Sequence, residues 1–246
     1  MEIKKILIMG ASSGIGFSLV EESLKRFKSA KIFASYREDK SAHKLLEINN
    51  TNLIPLKVDP SEENQLINFK NNILEHTDRL DIVIICIGVL DSVKSMAEKK
   101  VDDITAENML YSFKTNSISH ALIVKTIKPL LRKDNPTLLA HLSAKVGSIE
   151  ENQLGGWYSY RMSKASLNML IKNLDIEFKR SNFNCKVVAI HPGTTETSLS
   201  KKYLNNVKYK VYSSTETANH ILDLCLKIDN KESGNFLHWD GTKIKW

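Results

Sequence analysis

Residues 4–16 read KKILIMGASSGIG, and this stretch decides the fold. Lys4–Gly10 is a short apolar run of strand type, and a helical pattern opens at Ile15 and runs to Phe27. Between them Gly10, Gly14 and Gly16 set the spacing G-x-x-x-G-x-G. Glycine allows the tight turn and lets backbone approach a ligand with no Cβ in the way. A helix that starts here offers free N–H groups and a positive dipole end, which suit a pyrophosphate. Gly10, Ser12, Ser13, Gly14, Ile15 and Gly16 are therefore candidate dinucleotide-binding residues. A turn that needs glycine for its shape alone is the bland alternative. The position directly after the first strand favours the cofactor.

Working outward, short apolar runs alternate with amphipathic ones. Strands are expected at Lys4–Gly10, Lys31–Tyr36, Leu53–Asp59, Asp81–Gly88, Thr137–Ser143, Lys186–His191 and Asn235–Trp239. Runs such as IVIICIG, residues 82–88, lack alternation, as expected of strands buried on both faces of a parallel sheet. Helices are expected at Ile15–Phe27, Ser41–Asn49, Glu62–His76, Ala106–Leu131, Tyr158–Arg180 and Thr215–Ile228. Ser213 followed by Glu216 has the spacing of a capping box for the last of them. The alternation predicts an α/β chain: one domain spanning 1–246, with a doubly wound, parallel, seven-stranded sheet and helices on both faces. Ligands of such a sheet sit at the carboxyl ends of its strands.

Composition excludes several classes. Of 246 residues, 42% are hydrophobic and 26% charged, which is ordinary globular usage rather than disorder. Lys and Arg number 35 against 28 Asp and Glu, a net +7, but the basic residues are scattered and form no nucleic-acid stripe. Cys86, Cys185 and Cys225 have apolar neighbours and no metal-type spacing, so buried free thiols in a reducing cytoplasm are expected. The longest apolar run, Ile82–Leu90, is too short to span a bilayer. The apolar part that follows Lys4 and Lys5 is too short for a signal peptide. A soluble cytoplasmic protein with no membrane partner is expected.

The chemistry is concentrated further along. Tyr160 and Lys164 form Y-x-x-x-K on a helical pattern, so phenol and ammonium share one face. Ser143 stands at the carboxyl end of the fifth strand, Asn116 lies within the fourth helical stretch, and Pro192, Gly193, Thr194 and Thr197 follow the sixth strand. A free phenol titrates near 10, too high for acid–base work at neutral pH. A cation about 4 Å away supplies up to roughly 4 kcal/mol at an effective dielectric near 20, or roughly 3 pKa units. Lys164 is thus expected to bring Tyr160 towards neutrality. Tyr158 is two residues off this face and is not the expected acid.

The ordered set of glycine turn, Asn116, Ser143, Tyr160, Lys164 and Pro192-Gly193 resembles the short-chain dehydrogenase/reductase family, a Rossmann-type fold. GGWYSYRMSKASLNML (155–170), HPGTTETSLS (191–200) and SGNFLHWDGTKIKW (233–246) resemble its C-factor-like and sniffer-like carbonyl reductases. The resemblance implies Tyr160 as general acid/base and Lys164 as the residue that tunes it and binds the nicotinamide ribose. It further implies Ser143 as the polariser of a carbonyl and Asn116 as support for a proton relay. Pro192 and its neighbours would pack against the nicotinamide, Asp59 would meet the adenine, and Gly88 would contact the adenosine half. A small carbonyl or alcohol substrate and a homodimer or homotetramer built on the fourth and fifth helices are implied too. A cofactor-bound signalling protein with incidental catalysis is the alternative.

At the end of the second strand Tyr36 and Arg37 stand where an acid would read the adenine ribose. Arg37 can pair with a 2′-phosphate, so NADP(H) is expected over NAD(H), although Glu38 and Asp39 follow at once. The family's Asn-Asn-Ala-Gly is replaced by Ile85-Cys86-Ile87-Gly88, which is expected to exchange a hydrogen-bonded brace for apolar packing. Thr194–Tyr212 carries few core residues and is expected to act as a mobile substrate lid.

Overall fold

The computed structural model describes residues 3–91, 96–131, 136–205, 207 and 209–246. Its strands are β1 (Lys5–Met9), β2 (Lys31–Tyr36), β3 (Leu53–Lys57), β4 (Ile82–Ile85), β5 (Thr137–Leu142), β6 (Cys185–His191), β7 (Phe236–His238) and β8 (Lys243–Ile244). Its helices are α1 (Gly14–Arg26), α2 (Asp39–Leu46), α3 (Glu63–Leu74), α4 (Ala106–Phe113), α5 (Ser119–Ile127), α6 (Tyr158–Arg180) and α7 (Ser214–Lys227). One sheet runs in the order β3-β2-β1-β4-β5-β6-β7-β8.

Side chains alternate across each strand, so both faces must be covered. Ile6, Ile8, Ile82, Ile84, Val188 and Ile190 pack with Leu19 and Val20 of α1 and with Ile221 and Leu222 of α7. Leu7, Met9, Val83, Ile85, Leu139 and Val187 pack on the other face with residues of α3, α5 and α6, among them Phe69, Ile123, Ile171 and Phe178. The buried carboxylate of Asp81 accepts from the N–H groups of Lys4 and Lys5 at 2.7 and 2.8 Å, which fixes β1 against β4. The chain reverses its direction of sheet growth between these two strands, and such a reversal opens a crevice at their carboxyl ends.

Two expectations need correction. The sheet has eight strands, because β8 adds antiparallel to β7. A strand of two residues, one of them lysine, carries no apolar run for sequence reading to find. The single helix expected over 106–131 is broken: α4 leads into a π-turn at Lys114–Ile118, then α5, then a 3₁₀ turn at Lys128–Leu130. Pro129 lies in that final turn, where its missing N–H ends regular helix. The capping box of α7 forms as expected: Ser213 Oγ accepts from Glu216 N–H at 3.1 Å, and Glu216 Oε2 accepts from Ser213 N–H at 2.9 Å. None of the described helices is long and apolar enough to cross a membrane.

Candidate active site

The glycine turn closes over β2. Gly10 N–H donates to Ser35 Oγ at 2.9 Å, and Ala11 N–H donates to Ser35 O at 2.7 Å. Gly10 has φ +83° and Gly14 φ +53°, conformations natural to glycine. At Gly16 the reason is space: a Cβ would lie 2.1 Å from Gly10 O. Ser13 precedes α1 in extended conformation, and no side chain caps the helix. Its first-turn N–H groups therefore stay available to an anion.

A cleft of about 520 Å³ lies above this turn, and Gly10, Ser12, Ser13, Gly14, Ile15, Gly16, Tyr36, Arg37, Asp59, Gly88 and Thr197 all line it. Arg37 is exposed, with Glu38 Oε1 3.4 Å from its guanidinium. Asp39 pairs with Lys57 at 2.5 Å instead of turning to Arg37. Asp59 Oδ1 accepts from Ser61 N–H at 2.9 Å and Ser61 Oγ at 2.7 Å. Burial opposes the charge on Asp59, but the Ser61 bonds outweigh it and hold the carboxyl below its ordinary range.

A second cleft of about 910 Å³ adjoins the first, lined by Ser143, Tyr160, Lys164, Pro192, Gly193, Thr194 and Thr197 among others. Tyr158 does not line it. Lys164 Nζ is buried, donates to Leu142 O at 2.9 Å, and lies 6.0 Å from the Tyr160 ring centre. A Cβ at Gly88 would approach that Nζ to 3.3 Å, so glycine keeps the space above the ammonium open. Burial lowers Lys164 to about 8 and raises Tyr160 to about 12. The expected acidification of the phenol is therefore not supplied by the protein alone. Desolvation of the phenolate outweighs an ammonium this far from the ring.

Asn116 sits fully buried in the π-turn between α4 and α5. Its Oδ1 accepts from Val89 N–H at 2.7 Å, and its Nδ2 donates to Val89 O at 2.8 Å and Ser163 Oγ at 2.9 Å. It thereby ties the loop after β4 to α6, one turn from Tyr160. Ser143 Oγ donates to Asn168 Oδ1 at 2.6 Å, and Asn168 Nδ2 donates to Gly147 O at 3.2 Å.

Sequence reading missed Ser35, Asn168 and two further devices. His120 and His141 are fully buried with their Nδ1 atoms 3.0 Å apart, and His120 Nε2 lies 3.0 Å from Ile87 O. The carbonyl can only accept, so His120 carries its proton on Nε2, and His141 donates from Nδ1. The brace expected to be lost at Ile85-Cys86-Ile87 is thus rebuilt from α5 and β5. Cys86 itself is half-buried beside the cleft, and all three thiols are free.

The other device is Glu98, buried where its carboxylate takes the Ser159 hydroxyl and, at 3.2 Å, the Ser159 N–H. Its backbone O accepts from Trp157 N–H at 2.5 Å, and Trp157 has the left-handed φ +50°. The carboxylate so caps α6 from a distant loop. Next to Glu98, Ala97 N–H donates to Asp91 Oδ1 at 2.9 Å, and Tyr203 Oη donates to that oxygen at 2.5 Å.

Residues 4–208 match the short chain dehydrogenase family. An uncharacterized oxidoreductase of Schizosaccharomyces pombe is 25% identical over 254 residues, covering 98% of this chain and 97% of its own. The NADPH-bound carbonyl reductase from chicken fatty liver superposes with a TM-score of 0.88 at 25% identity, over 100% of this chain and 95% of its own. Carbonyl reductase Sniffer of Drosophila melanogaster gives a TM-score of 0.86 at 23% identity over 99% and 100% of the two chains. With the glycine turn, the Tyr160–Lys164 pair and the sheet order already in place, the match over residues 4–208 makes this chain a member of the short-chain dehydrogenase family of oxidoreductases.

Proposed function

We propose that the protein is an NADP(H)-dependent carbonyl reductase in which Tyr160 gives the proton to the carbonyl oxygen. The observation that carries this reading is the convergence of Ser143, Tyr160 and Lys164 on one cleft that adjoins the glycine turn. The turn fits a dinucleotide, since a Cβ at Gly16 or Gly88 would fill the cradle and α1 offers uncapped N–H groups. Bound there, the cofactor supplies the hydride.

The chain's own residues do the rest. A phenol held near 12 stays protonated at neutral pH, which suits a proton donor and hence the reductive direction. Lys164 spends one of three donors on Leu142 O, leaving two for the nicotinamide ribose hydroxyls. Ser143 has a single proton, given to Asn168 in the free protein, so polarising a carbonyl requires that hydroxyl to rotate. Asn116 holds the loop after β4 against α6 and supports the relay side of the site. Nothing in the site favours a signalling protein over an enzyme that keeps the full Ser143, Tyr160 and Lys164 set. The test is a panel of aldehydes and ketones with NADPH, read as loss of nicotinamide absorbance. No turnover on any member, with NADPH bound, overturns the reading.

Arg37 supports the choice of NADP(H), because its exposed fork can pair with a 2′-phosphate. NADPH binds at least about tenfold tighter than NADH, the ~1.4 kcal/mol of one charge-assisted bond. Arg37→Ala removes most of that margin. A fluorescence titration giving equal affinities in the unaltered protein refutes the preference.

A homodimer or homotetramer is supported by exposed apolar residues along α6. Met162, Met169 and Ile176 recur every seventh residue, with 44%, 62% and 52% exposure. Leu110 on α4, which packs beside α6, is 71% exposed. Water-exposed rows of this kind mark association surfaces. Sedimentation equilibrium gives two or four copies; a monomer at micromolar concentration refutes it.

A further inference from the structure

Four of the five charged residues that line the larger cleft are accounted for. Lys145 pairs with Glu151 at 3.0 Å, Lys210 pairs with Glu216 at 3.2 Å, and Lys164 serves the ribose in the reading above. The fifth is Arg161, the residue after Tyr160. Its Nε–H is shared between Gly155 O at 3.1 Å and Gly156 O at 3.0 Å, and one Nη1–H reaches Val146 O at 3.4 Å.

The first two carbonyls are presented by an unusual turn. Gly155, Gly156 and Trp157 are all left-handed, with φ +63°, +64° and +50°. A guanidinium has five N–H donors in a planar fork, so three remain. Among the described residues no carboxylate answers them. Neutral carbonyls anchor the group without cancelling its charge. A fixed cation of this kind, facing a cleft and short of an anion, is a recognition element for a carboxylate. The walls nearby are aromatic: Trp157 and Tyr203 have ring centres 5.0 Å apart, and Trp239 and Tyr212 5.3 Å apart.

We propose that Arg161 binds a carboxylate of the substrate, and that the substrate is an aromatic or similarly flat carbonyl compound carrying that acid group. The proposal rests on the reductase reading for the reacting carbonyl, but not for the anion site itself.

The experiment compares 4-carboxybenzaldehyde with its methyl ester under NADPH, and benzoate with benzamide as quenchers of tryptophan fluorescence. The unaltered protein favours the acid over the ester in kcat/KM, and benzoate over benzamide in affinity, each by about tenfold. Arg161→Met collapses both ratios, chiefly through a higher KM for the acid. Arg161→Lys keeps part of each, because it retains the charge and loses the fork. Ratios rather than rates are read, so a general disturbance of the turn at 155–157 does not imitate the result. Equal ratios in the unaltered protein and in Arg161→Met overturn the anion site, while ester reduction leaves the reductase reading standing. Benzoate selection that vanishes in Arg161→Met, with neither aldehyde reduced, upholds the anion site and removes the reductase reading.

Discussion

Tyr160→Phe cuts carbonyl reduction by about three orders of magnitude and leaves NADPH affinity within about threefold. Loss of a positioned proton donor has an effect of roughly 10²–10⁴. The substitution keeps the ring, which packs edge-on against Trp157 with centres 6.3 Å apart. The Tyr160 hydroxyl has no hydrogen-bond partner among the described residues, and it faces the cleft. Its removal strands no buried donor, so thermal stability is expected to hold or rise slightly. The two readouts separate chemistry from folding. Stopped-flow turnover close to that of the unaltered enzyme would remove Tyr160 as the acid, whatever the melting temperature.

Acid unfolds the protein steeply below pH 6.5. Burial lowers His141 and His191 to about 3, and lowers His120 further below its ordinary value with help from its neighbour His141. The folded state keeps these three rings neutral, whereas the unfolded chain protonates them near 6.5. The unfolded state therefore binds more protons below pH 6.5, and stability falls as pH falls. Three protons correspond to a slope of about 4 kcal/mol per pH unit. A domain with about 5–15 kcal/mol in hand is exhausted within about 1–4 units. Urea titrations at pH 7, 6 and 5 read the slope directly, and equal stabilities at pH 7 and 5 would show that the rings are not held neutral. Lys164 acts at the other end. Its folded pKa of about 8 lies below its ordinary 10.5, so stability rises as pH climbs between those values.

The fold was legible because its signals are local. IVIICIG has no alternation, since both faces of β4 are covered, and the glycine spacing marks the β1–α1 turn within a few residues. Tyr160 and Lys164 were legible because helical spacing alone puts them together. What escaped is non-local. Glu98 reaches Ser159 across 61 positions, Ser143 meets Asn168 across 25, and His120 meets His141 across 21. None of these pairs leaves a period or a spacing rule in the chain. The desolvation of Tyr160 escaped for the same reason. Helical spacing gives the proximity of a cation but not the desolvation that opposes it.

The distant cap on α6 has an evolutionary consequence. Surface loops ordinarily absorb insertions and deletions, and enzymes diversify by exchanging them. Glu98 lacks that freedom, because it supplies the carboxylate that starts the helix bearing Tyr160. A displacement of Glu98 would be passed directly to Tyr160, the residue after Ser159 on that helix.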